Sequence, residues 1–83
     1  MFNRLMDKER TKQIMGQVIQ QLREERNMSR YALAKAAGVD NSWLRRLEQG
    51  KSGIRVETLI CLAKGLDMPS SEIIELIERK LLS

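Results

Sequence analysis

Apolar residues return along this chain at intervals of three and four. Between Thr11 and Arg26 they fall at Ile14, Met15, Val18, Ile19 and Leu22, the single inward stripe of an α-helix. Asn27 and Met28 interrupt the stripe, and Ser29 follows with a hydroxyl that can accept from an orphan amide. A second helix is therefore predicted from Arg30 to Ala37, burying Leu33, Ala34 and Ala37. Gly38, which adopts the left-handed conformation without a steric penalty, stops it. Asp40 is the expected N-cap of a third helix that turns Leu44 and Leu47 inward and ends before Gly50.

The segment GKSGIR, Gly50 to Arg55, is small, polar and basic, and reads as a loop. A fourth helix is predicted from Val56 to Leu66, with Val56, Leu59, Ile60 and Ala63 on one face. Pro69, Ser70 and Ser71 open a fifth, which continues from Glu72 to Leu82. No segment alternates as a strand does, so the expected fold class is all-α, with five helices. The second and third helices stand only about three or four residues apart, as a helix-turn-helix requires.

At 83 residues, with 42% hydrophobic content, the chain suits one small domain. Residues 1–10 read as a leader and residues 11–83 as the domain, with the fifth helix available for dimerisation. There is no His and a single Cys, so no zinc site, disulfide framework or Cys/His nucleophile pair is expected, and no cofactor. A nuclease would need carboxylates clustered around a metal, but the acidic residues are spread along the chain, three of them over the fifth helix, so an enzyme is not expected. Apolar runs are short and the leader is charged, which predicts neither a membrane span nor a secretory signal, and a cytoplasmic protein. No small-molecule ligand is evident.

The net charge of +4 is unevenly placed. Residues 1–30 hold seven Lys and Arg against four Asp and Glu, and residues 31–55 five against two; residues 56–83 hold three against five. Such an asymmetry suits a polyanion on one side of the molecule.

The third helix makes that polyanion specific. The major groove of B-form DNA admits one helix, and the second helix of a helix-turn-helix enters it with its leading residues against base edges. Asn41 suits a bidentate contact to adenine, Ser42 bonds to several bases, and Arg46, one turn on, reaches guanine. Arg30 starts a helix that would cross the phosphate backbone.

MGQVIQQLRE, SRYALAKAAGV and LRRLEQGK resemble the phage-repressor/Cro-type helix-turn-helix family, also called Xre, with the likeness running from about Ile14 to Ile77. The resemblance implies the five-helix repressor-like fold, the lambda-repressor-like DNA-binding domain, and sequence-specific binding of operator DNA as a dimer. By position it implies base contacts from Asn41, Ser42 and Arg46, and phosphate contacts from Arg30, Trp43 and Lys51. It also implies a partly buried ion pair between Arg23 and Glu48. Three positions depart from the family pattern. Arg30 replaces the usual Gln at the start of the second helix. Ile54 and Arg55 stand where Pro-Ser often precedes the fourth, which therefore lacks the expected cap.

The remaining polar and aromatic positions divide as follows. Trp43, in the first turn of the third helix, is expected as a half-buried ring whose indole N–H meets a phosphate. Arg45 lies about 100° round the helix from Arg46 and faces backbone or solvent, a further phosphate candidate. Tyr31 either reaches a phosphate or covers the core beside the first helix. Cys61 falls off the fourth helix's stripe and is expected exposed or at a subunit contact.

Ile73, Ile74, Leu76, Ile77, Leu81 and Leu82 cover a wider arc of the fifth helix than one internal core requires. A two-fold dimer would bury the excess, with Ile74, Ile77, Leu81 and Leu82 at the interface. The expected function is a dimeric transcriptional regulator, a repressor or autoregulator, reading an inverted repeat in double-stranded DNA. An antitoxin or a restriction-modification controller has the same architecture, and a protein-binding helical adaptor is the alternative of another class.

Overall fold

Residues 7–83 are described by the computed structural model, and five helices account for most of them. They are α1 (Lys8–Glu25), α2 (Arg30–Ala37), α3 (Asn41–Glu48), α4 (Val56–Leu66) and α5 (Ser70–Leu82), with no strand among the described residues. This is the all-α class that the hydrophobic periodicity predicts. α1 begins three residues inside the expected leader because the Asp7 carboxylate accepts from the amides of Glu9 and Arg10 at 2.9 and 3.3 Å. Phe2, Leu5 and Met6, the apolar residues of that leader, lie outside the described residues.

Each of the first four helices is followed by one left-handed residue: Asn27, Gly38, Gly50 and Asp67, at φ of 55°, 72°, 78° and 57°. The amide after each then donates back to a carbonyl of the last turn, Met28 to Arg23, Val39 to Ala34, Lys51 to Arg46 and Met68 to Ala63, at 2.9 to 3.1 Å. These are Schellman closures, which satisfy carbonyls that the helix itself leaves unpaired. α5 ends differently. Its last turn is closed by Arg10 of α1, whose Nη1 and Nη2 donate to the carbonyls of Leu81 and Lys80 at 3.1 and 3.3 Å.

Ile14, Val18, Ile19 and Leu22 of α1 meet Leu33, Ala34 and Ala37 of α2, Leu44 and Leu47 of α3, and Ile73 of α5 in one core. α4 corrects the sequence reading. Its buried residues are Leu59, Leu62, Ala63 and Leu66, whereas Val56 and Ile60, expected inward, are 72% and 55% exposed. The rotation is set where α4 crosses α2: a Cβ on Gly65 would stand 3.0 Å from both the amide nitrogen and the Cβ of Ala37. With Gly65 against α2, the leucine stripe turns inward and Val56 and Ile60 turn out. Cys61 is half-buried against the core rather than fully exposed.

α1 approaches α3 as closely as backbone permits. A Cβ on Gly16 would collide with the Leu47 carbonyl oxygen and stand 3.1 Å from that of Glu48. Only glycine lets the last turn of α3 rest on α1, and this contact fixes the angle at which α3 is presented.

Candidate nucleic-acid interface

α2 and α3 are separated by Gly38, Val39 and Asp40 alone. The Ser29 Oγ accepts from the Ala32 amide at 3.0 Å and the Asp40 carboxylate from the Trp43 amide at 3.0 Å, so each helix has a side-chain cap. Leu44 and Leu47 of α3 are completely buried, and Asn41, Ser42, Arg45 and Arg46 are exposed. With about 100° per residue, Ser42 lies close to the outward direction and Arg45 and Arg46 fall about 50° to either side of it. Arg45 thus faces outward as fully as Arg46. Gln49, the C-cap residue, is exposed on the same line; the same angular step finds it in the sequence, but it lies beyond the apolar stripe that drew attention to the helix.

Trp43 is half-buried at the edge of the core. Beside it a shallow concavity is lined by Val39, Asp40, Gly53, Arg55 and Thr58, bringing the start of α3 near the start of α4. Arg55 at the N-cap of α4 makes no side-chain cap, so the first-turn amides of α4 have no side-chain acceptor.

The base of the motif is held by an ion network of Arg23, Glu48 and Arg30, with the exposed Glu24 at its edge 3.9 Å from Arg23. Glu48, at the end of α3, has a side chain only 2% exposed. Its Oε2 accepts from Arg23 Nε at 2.7 Å and its Oε1 from Arg23 Nη2 at 2.9 Å, a bidentate pair joining α1 to α3. Arg23 Nη1 donates to the Met28 carbonyl at 2.9 Å, so every nitrogen of this guanidinium is engaged. Its hydrogen bond to Glu48 holds the Arg23 pKa above the ordinary guanidinium value, against a smaller opposing effect of burial. Arg30 joins the same carboxylate, donating from Nε to Glu48 Oε1 at 3.1 Å. Sequence reasoning placed Arg30 at a phosphate and missed this bond, which links residues 18 apart and depends on how α2 lies across α3.

Residues 14–76 match the sequence model of a family described as a helix-turn-helix domain. The chain belongs to the helix-turn-helix family. The motifs that resemble the phage-repressor/Cro type all fall within the matched residues. Among solved structures, the restriction-modification controller protein C.AhdI from Aeromonas hydrophila is 27% identical, with a TM-score of 0.72 over 75% of this chain and 94% of that one. The wild-type restriction-modification controller protein C.Esp1396I is 21% identical, with a TM-score of 0.78 over 87% of this chain and 94% of that one. The clp gene regulator ClgR from Corynebacterium glutamicum is 18% identical, with a TM-score of 0.79 over 87% and 77%. No curated protein matches significantly in sequence.

Within this helix-turn-helix, the expected residues divide by environment. Asn41 and Ser42 are exposed polar groups in the first turn of α3, Arg45 and Arg46 are exposed in its last turn, and Lys51 is an exposed cation just after it. Tyr31, left open between core and surface, is 66% exposed on the first turn of α2. Arg23 and Glu48 lie inside and hold the frame. Of the α5 residues, Ile74 and Leu82 are 51% and 61% exposed, while Ile77 and Leu81 are partly buried against the chain's own core. No helix among the described residues is long and apolar enough to cross a membrane.

Proposed function

We propose that this helix-turn-helix chain is a sequence-specific, double-stranded-DNA-binding regulator of transcription, acting in the cytoplasm as a homodimeric repressor or autoregulator without enzymatic activity. Residues 11–83 are the DNA-binding domain, and α5 is its dimerisation helix. The observation that carries this reading is the outward face of α3, where Asn41, Ser42, Arg45 and Arg46 are all exposed while Leu44 and Leu47 anchor the helix from behind. A helix with that face, offered at a fixed angle by the Gly16 contact and the Glu48 network, suits the major groove. Asn41, Ser42 and Arg46 read bases; Arg30, Tyr31, Trp43, Arg45 and Lys51 bind phosphates. Two copies related by a two-fold axis would set their α3 helices about 34 Å apart, one turn of DNA, so the operator is an inverted repeat.

Selection of bound duplexes from a random DNA library at near-physiological salt tests this. An enriched inverted repeat supports it. Binding that is weak, salt-sensitive and without enrichment would instead favour a protein-binding adaptor of the same fold.

Within the class of regulators, a restriction-modification controller is the reading favoured by similarity to C.AhdI, which this chain matches over 94% of that protein's length. A selected operator lying upstream of a restriction endonuclease gene would support it.

A further inference from the structure

We infer that Glu48 is a positioning residue for DNA: by accepting Arg30 Nε–H, it fixes that guanidinium so that the Nη1 and Nη2 edge is presented to a backbone phosphate. The inference rests on the DNA-binding reading and deepens it.

The carboxylate is well suited to hold a second cation still. Arg23 engages both of its oxygens and is itself pinned to the Met28 carbonyl, so Glu48 has little freedom of its own. Arg30 differs from Arg23 in burial and in occupancy. Its side chain is 36% exposed, against 10% for Arg23, and it donates only from Nε among the described residues. A guanidinium is planar, and anchoring Nε–H sets the direction in which the opposite edge points. That edge is the pair of amines that binds an oxyanion in fork geometry.

The charges agree with the geometry. Two guanidiniums share the buried carboxylate; the other nearby carboxylate, Glu24, is exposed and stands 3.9 Å from Arg23, and Arg30 is the more exposed of the two cations. Its rotamer freedom is already restricted in the free protein, so a phosphate contact orders less on binding. The same carboxylate that joins α1 to α3 therefore also aims the first residue of α2, and the frame and the DNA contact share one anchor.

Glu48→Gln would leave Arg23 buried beside a neutral amide, and its unfolding would carry no information about DNA. The test instead uses Arg30→Lys and Arg30→Gln in the full chain, with a fluorescent mixed-sequence DNA duplex as probe. Lysine keeps the charge but has neither Nε–H nor fork. Positioning predicts that Arg30→Lys binds about tenfold or more weakly, the scale of a charge-assisted hydrogen bond, with an unchanged slope of log affinity against log salt. Arg30→Gln should also bind weakly, with the slope smaller by about one. Nitrogen-15 spectra of the wild type should show an Arg30 Nε–H resonance protected from exchange both free and duplex-bound. Binding of Arg30→Lys as tight as wild type would overturn the inference in favour of a loose charge. Loss of the protected resonance in the complex would overturn it, because Glu48 would then have released Arg30. Lower melting temperatures with unchanged DNA binding would reduce Arg30 to a structural cross-link. A wild-type chain that binds no duplex at any salt overturns the DNA-binding reading, and this one with it; that outcome is recognised without any variant.

Discussion

Basic residues on a recognition helix and beside it can serve DNA binding in two ways, and the position of each on α3 or in the loop after it argues which. Arg46 stands one turn beyond Ser42 on the exposed face, the position proposed to read a base edge, whereas Lys51 follows the left-handed Gly50 and lies outside the helix. Arg46→Ala should weaken operator binding by about 1–3 kcal/mol and relax preference at one base pair. Lys51→Ala should weaken all sequences alike and lower the salt slope by about one. Titration of the selected operator and its single-base variants at several salt concentrations separates the two, and an equal loss on every sequence for both would remove Arg46 from base reading. Much of this surface is legible in the sequence, since buried Leu44 and Leu47 define the inward side and the angular step assigns the rest. Two features are not. The equal outward standing of Arg45 emerges only when its angle is measured from the leucines rather than from Arg46. The Arg30 bond to Glu48 joins separate helices and has no periodic signature.

At the scale of elements, helix ends are the most legible feature, because capping is local chemistry: Ser29, Asp40 and Gly38 act where sequence spacing puts them. The inward face of α4 is less so. Two apolar stripes compete there, and the close contact of Gly65 with Ala37, a tertiary event, selects the one containing Leu59, Leu62 and Leu66. The contact of α1 with α3 makes a sharper prediction. Gly16→Ala improves helix propensity by about 1 kcal/mol, yet the added methyl meets the backbone of Leu47 and Glu48, which cannot rotate away. Overpacking of this kind costs about 1–3 kcal/mol, so the variant should melt several degrees lower and bind DNA less well as α3 is displaced. A melting temperature at or above wild type would show that the helices separate freely. Asp67 offers the opposite case. It is a left-handed, non-glycine residue directly after α4, where a negative charge also faces the helix's unfavourable end. Asp67→Gly removes both and should stabilise the chain by about 0.5–1 kcal/mol, read as a rise of a few degrees in melting temperature with DNA affinity unchanged.

For the whole molecule the decisive quantity is the assembly state, since a single α3 spans too few base pairs to define a long operator and two copies held apart at a fixed distance define one. α5 is where such an assembly can form without disturbing the reading face. Only Ile73 of this helix is fully buried, Leu76, Ile77 and Leu81 pack partly on the core, and Ile74 and Leu82 remain open. The last two therefore test association with little risk to the monomer fold, whereas changes at Ile77 or Leu81 would disturb both. Ile74→Glu and Leu82→Glu should leave the helical content of the folded chain unchanged while shifting sedimentation at micromolar concentration from dimer to monomer, with melting lowered only by the lost association. Burying a carboxylate without a partner is strongly unfavourable, and in a two-fold contact each substitution enters twice. DNA binding should then lose its cooperativity on the full inverted repeat yet keep its affinity for a single half-site. A wild-type chain that sediments as a monomer both with and without operator DNA would overturn the dimer, and with it the inverted repeat. If α5 mutants instead remain dimeric, association uses another face, and the exposed pair Val56 and Ile60 on α4 is the next surface to change.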